Sequence, residues 1–128
     1  EVVELLVAWE SSDSLLLRLA EAEAALQLPA AARHVQVLTD RYAAARARGD
    51  TTHRAEEARF ELRLRKDPVT AVALARANYA VQREPRDARV LLEAALAAKD
   101  PASAQSARDW LRSSGFEDAR MRQLGGMP

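Results

Sequence analysis

The sequence predicts an all-α chain, an α-solenoid of stacked antiparallel helix-turn-helix hairpins, and three observations predict it. Glycine (Gly49, Gly115, Gly125, Gly126) and proline (Pro29, Pro68, Pro85, Pro101, Pro128) fall between apolar-periodic segments and never inside one, which is how helix boundaries are punctuated. Period-two alternation is absent, alanine fills 28 of 128 positions, and no hairpin dipeptide separates β-branched runs, so strands have no support. The string Lys-Asp-Pro stands at Lys66–Pro68 and returns 33 residues later at Lys99–Pro101, a period that belongs to repeated helical hairpins.

Each element follows from that punctuation. A first helix covers about Val2 to Trp9 and stops at Glu-Ser-Ser-Asp-Ser. The next starts from Asp13 or Ser14 as N-cap and runs to about Gln27. Pro29 opens a third, which continues to Arg48 and ends at Gly49. The stretch Asp50–His53 caps a fourth, reaching about Lys66. Asp67 and Pro68 fit N-cap and first helical position, where the missing proline N–H costs nothing, and open a fifth to about Arg83. Asp87 is expected to cap a sixth, to Lys99. Asp100 and Pro101 repeat the device for a seventh, ending near Ser114 and Gly115. A short eighth is expected over roughly Glu117 to Leu124, with a loose tail at 125–128. Connections this short make consecutive helices antiparallel.

Composition narrows the function classes. Arg plus Lys and Asp plus Glu both total 19, so no net field concentrates the chain on a phosphate backbone, and nucleic acid is not an expected partner. With no cysteine, disulfides and thiolate metal sites are excluded and the compartment stays open. The longest apolar runs, such as Val2–Trp9, are too short to span a bilayer, so direct membrane insertion is not expected. No signal peptide is visible, but the chain begins without Met inside an apolar helical pattern and reads as an excerpt of a longer protein.

Aligning the two Lys-Asp-Pro turns places Ala71 on Ala104 and Thr70 on Ser103, and Pro29 marks the same joint earlier, followed by Ala32. The organisation expected is a last helix of a preceding repeat at 1–12, repeats at 13–50, 51–85 and 86–115, and a terminal helix at 116–124. A hairpin of this size cannot bury its own apolar faces and must stack on its neighbours. Over residues 14–114 the chain resembles tetratricopeptide-type repeats. Leu16, Leu19 and Ala20 match the family's first-helix pattern, as do Ala55, Ala58 and Leu62, and Ala88, Leu91 and Ala95; Ala32, Ala71 and Ala104 match the alanine that begins its second helix. Glu23, Arg59 and Leu92 depart from the pattern. The aromatic expected four residues after that alanine is replaced by Gln36, Ala75 and Arg108, its space left for Tyr79 and Trp110 to fill.

The residues that could carry chemistry all have simpler readings. His34 and His53 are the only histidines and share no helical ligand spacing with a second ligand, so a metal site is not expected; His53 reads as a helix start and His34 as part of a half-buried face. Arg48-Gly49-Asp50 spells an adhesion tripeptide, but a left-handed glycine ending a helix produces the same string. Glu21 with Glu23, and Glu56 with Glu57, lie too close in sequence to face each other on a helix and read as solvated charge, with Glu56 placed to pair with Arg59. Arg41, Arg46 and Arg48 spread around their helix rather than forming a stripe. Trp110 is expected in the core, whereas the helix carrying Trp9 would expose an apolar patch, through which the chain could form a homodimer. Phosphate loop, nucleophile elbow, ordered triad and cofactor fingerprint are all missing; the chain reads as a non-enzyme without a cofactor.

The resemblance implies that first helices line a concave groove and second helices form the outer surface. In that register Leu17, Arg18 and Glu21, then Glu56, Phe60 and Arg63, then Arg86, Arg89 and Glu93 face the groove. Phe60 amid charge would be its aromatic anchor, or else would pack with Leu64 against the adjacent hairpin. The function expected is a scaffold that holds a peptide or helix of another protein. The alternative is a helical regulatory or sensor segment of a larger enzyme or transcription regulator.

Overall fold

The computed structural model describes residues 13–114. Six α-helices fill that span: α1 (Asp13–Ala25), α2 (Ala30–Ala47), α3 (Arg54–Arg63), α4 (Pro68–Tyr79), α5 (Pro85–Ala97) and α6 (Gln105–Ser114), with a 3-10 turn over Pro101–Ala104 ahead of α6. No strand occurs among the described residues. The helices expected over 2–9 and 117–124, and the apolar patch at Trp9, lie outside them.

The joints between helices carry the clearest sequence logic. Lys66 and Lys99, the only lysines in the chain, both adopt the left-handed conformation, at φ 57° and 56°. The aspartate that follows each has nearly the same backbone, φ −115° and ψ 82° at Asp67, φ −124° and ψ 76° at Asp100. Asp67 Oδ1 accepts from the Thr70 amide at 3.1 Å and its Oδ2 from the Thr70 hydroxyl at 2.7 Å. Asp100 does the same with Ser103, at 3.3 and 2.5 Å. These bonds to the charged form hold both carboxyls below the usual range, the Thr70 hydroxyl contributing most to the first and the Ser103 hydroxyl to the second. The recurring tripeptide is therefore one local structure made twice: left-handed lysine, capping aspartate, proline in the first turn.

Two further helix ends use the same left-handed exit without the aspartate–proline cap. Gln27 has φ 57° and Gly49 φ 71°. Behind Gln27, Gly49 and Lys99 the amides bond back in the paired pattern that closes a helix with a left-handed residue: Leu28 to the Glu23 carbonyl at 2.8 Å, Asp50 to Ala45 and Asp100 to Ala95 at 2.9 Å each. Gly49 terminates its helix as the sequence predicts, and the Asp50 carboxylate then accepts from the Thr52 amide and hydroxyl at 3.0 and 2.7 Å.

Helix ends differ from expectation where a turn intervenes. The left-handed Lys66 ends α3 at Arg63 rather than near Lys66, and α4 closes at Tyr79 rather than Arg83. The sixth predicted helix starts at Pro85 with Glu84 as N-cap, not at Asp87. Asp87 lies three residues inside: its Oδ2 accepts the Glu84 amide at 3.0 Å and its Oδ1 accepts from Asn78 Nδ2 at 2.8 Å. A carboxylate with no exposed surface thus ties the C-terminal end of α4 to the first turn of α5, and buried charge tolerates burial only when bonded in this way.

The chain divides into two compact units, one ending at Glu56 and the other beginning at Glu57, so the division falls within α3. In the first, α1 packs on α2, with Leu16, Leu19, Ala20, Leu38 and Tyr42 buried. In the second, α4 packs on α5, and α5 on the 3-10 turn and α6. Its core joins Ala71, Ala75 and Tyr79 with Ala88, Leu91, Leu92 and Ala95, and with Ala104, Ala107 and Leu111. Small side chains dominate the list, so the helices meet closely and dispersion contacts replace bulk. Trp110 is partly buried against this cluster. Burial raises the Tyr79 phenol above its ordinary pKa, with the nearby Arg83 opposing the shift.

Candidate functional site

Three of the residues expected on the first-helix face come together in the second unit. Arg63 ends α3, and Arg89 and Glu93 stand one turn apart on α5. Arg63 Nη2 donates to Glu93 Oε2 at 2.7 Å, and Arg89 Nε donates to Glu93 Oε1 at 2.8 Å. Both carboxylate oxygens are engaged, and the Glu93 side chain is only 14% exposed against 38% and 46% for the arginines. Glu93 orients two guanidinium groups while the cluster keeps one net positive charge. A planar guanidinium fixed on one edge presents its other N–H groups in a fork that suits carboxylate or phosphate oxygens. The chemistry on offer is hydrogen-bond donation to a partner's anionic group.

The remaining members of the expected set lie elsewhere. Arg86 sits one turn ahead of Arg89 and reaches Glu84 only loosely, 3.9 Å apart with both side chains 72% exposed. In the first unit Arg18 is exposed and Glu21 half-buried. Glu56 accepts a hydrogen bond from the Ser14 hydroxyl and lies 3.9 Å from His53. Leu17 and Phe60 are each 1% exposed, so neither presents an apolar surface to a ligand. The physical reason is that these helices bury more than one stripe: α3 encloses Glu57, Ala58 and Phe60 together.

The sequence reading missed one buried polar pair. His34 and Glu23 are each 2% exposed, and His34 Nδ1 and Glu23 Oε1 share a hydrogen bond at 2.5 Å, joining α2 to α1. His34 is therefore buried rather than half-buried, and Glu23 is not solvated charge. The signal was present in the departure at Glu23: a carboxylate on an apolar stripe requires a partner from the neighbouring helix. Sequestered from water, the pair ties α2 to α1 inside the core.

Among the described residues, no group of three or more His, Cys, Asp and Glu side chains could hold a metal ion, and no helix is long and apolar enough to cross a membrane. Compared with protein-family models, curated proteins and solved structures, the chain finds no match.

Proposed function

We propose that this chain is part of a tetratricopeptide-like helical repeat protein, a scaffold that holds another protein through the face carried by its first helices, α3 and α5. The observation that carries the reading is the Arg63–Glu93–Arg89 cluster. One acidic side chain holds two arginines from different helices in place, and neither arginine is consumed by burial. Pre-oriented arginine at a half-exposed position favours protein recognition, because less side-chain freedom is lost on binding. The repeated lysine–aspartate–proline joint supports the repeat part of the reading, since both copies share a left-handed lysine and a capping aspartate, one opening an α-helix and the other a 3-10 turn that leads into one.

The test is affinity capture with the full-length protein from its native lysate, beside an Arg63→Glu, Arg89→Glu double variant checked for unchanged helicity by circular dichroism. Cross-linking then locates the captured partner. A partner cross-linked near α3 and α5 and lost from the variant is the expected result. A partner kept equally by both proteins would remove this face from the function.

A further inference from the structure

A second surface lies on different helices of the same unit. Between the C-terminal half of α4 with its following turn and the start of α6 runs an open cleft of about 460 Å³, within the range of ligand-binding pockets, roughly 300–1,000 Å³. Arg76, Tyr79 and Arg83 line one wall, and Gln105, Ser106 and Asp109 line the other.

The two arginines are differently prepared. Arg83 is exposed but tethered: its Nε donates to the Tyr79 carbonyl at 3.3 Å, and its guanidinium carbon lies 5.1 Å from the centre of the Tyr79 ring. Tyr79 is itself 1% exposed and belongs to the core, so the ring under Arg83 is packed in place. The two terminal nitrogens of that guanidinium make no hydrogen bond among the described residues. Arg76 is exposed; its charge is felt at Asp100, but it forms no ion pair among the described residues. The one carboxylate in the cleft is already engaged, since Asp109 accepts from Gln105 Nε2 at 2.8 Å and lies 3.5 Å from Arg112. Positive charge in the cleft is therefore in excess of what its own wall neutralises. Ser106 adds an exposed hydroxyl that can donate to or accept from a main chain.

We infer that this cleft docks an acidic segment of a partner protein, one carboxylate taken by Arg83 and a second by Arg76. Two separated arginines, with the small exposed side chains of Ala80 and Ala102 between the charged groups lining the cleft, fit a short acidic peptide. They do not fit a nucleic acid, whose closely spaced phosphates demand an extended basic surface and would meet Asp109. Carboxylate held in a guanidinium fork is directional as well as charged, so lysine at these positions would serve less well. This surface is separate from Arg63 and Arg89, and its variants leave that cluster intact.

The experiment is fluorescence anisotropy at physiological ionic strength with a labelled oligoglutamate peptide, its oligoglutamine counterpart and a labelled oligothymidylate. The proteins are the wild type, Arg76→Glu, Arg83→Glu, Arg83→Lys, Arg48→Glu at an exposed position of the first unit as control, and Arg63→Glu as reporter of the α3–α5 face, each confirmed folded by circular dichroism. Oligoglutamate should bind and oligoglutamine should not. Each charge reversal in the cleft should weaken binding roughly tenfold or more, with Arg83→Lys intermediate; Arg48→Glu should match the wild type. Absence of oligoglutamate binding at millimolar concentration would overturn the proposal, as would equal binding by the cleft variants. Tighter binding of oligothymidylate, lost in the same variants, would reassign the cleft to nucleic acid. Loss of oligoglutamate binding in Arg63→Glu alone would return the acidic partner to the α3–α5 face.

Discussion

At Phe60, burial decides what a substitution can report. The ring is 1% exposed, so Phe60→Ala should destabilise the protein by about 3–5 kcal/mol. Urea unfolding should show this as a lower midpoint with an unchanged slope, and any lost binding in that variant would follow from unfolding. The placement of Phe60 was not legible in the sequence. Successive residues turn by about 100° in a helix, so Phe60 stands on the far side of α3 from Ala58, and the helix read as half solvated. Both are buried, and what covers a helix depends on tertiary packing that no periodicity within one helix encodes. Arg63 was placed better. Its place on the helix and the spacing of Arg89 and Glu93 were readable, though the helix ends at Arg63 and not near Lys66; the reach of Arg63 across to Glu93 was not, since it depends on how the two helices sit together.

Among the elements, the connections were more legible than the faces. Aspartate before proline announces a cap and a first turn, and Asp67 and Asp100 both cap as expected. The same logic applied to Glu84 and Pro85 identifies the start of α5; Asp87 misled because aspartate is the stronger capping residue. The left-handed lysines had no such signal, because glycine or asparagine is the usual occupant. A side chain in that conformation costs roughly 1–2 kcal/mol, relieved by glycine but partly offset by the greater freedom of an unfolded glycine. Lys66→Gly and Lys99→Gly should therefore each raise stability, by about 0.5–1 kcal/mol on the same balance. Chemical denaturation of the two single variants and the double variant checks this, and the two effects should add.

For the whole molecule, a zero net charge leaves pH dependence to particular carboxylates. Asp50, Asp67 and Asp100 all have folded-state pKa values below the usual range, held there by bonds from Thr52, Thr70 and Ser103 respectively. A depressed pKa means stability that is present above the unfolded value, about 3.9 for aspartate, and lost as pH falls through the folded value. Melting temperature should hold at neutral pH and drop under acid. Replacing Asp67 and Asp100 together by asparagine, which still caps but does not titrate, should flatten that acid drop relative to the wild type. Thermal melts followed by circular dichroism across the acid range decide it; parallel curves would assign the acid sensitivity to other groups.

The duplicated joint has a consequence for how such a chain can change length. Splicing Lys66 directly to Asp100 removes one hairpin and restores the string Lys-Asp-Pro at the seam. The residues on either side of that seam already hold the backbone angles it needs, left-handed at the lysine and with φ −115° or −124° and ψ 82° or 76° at the aspartate. Duplication or loss of the segment between the two joints therefore requires no new turn to be invented. Unequal exchange within the coding sequence can lengthen or shorten the array one hairpin at a time, with the connection arriving ready-made.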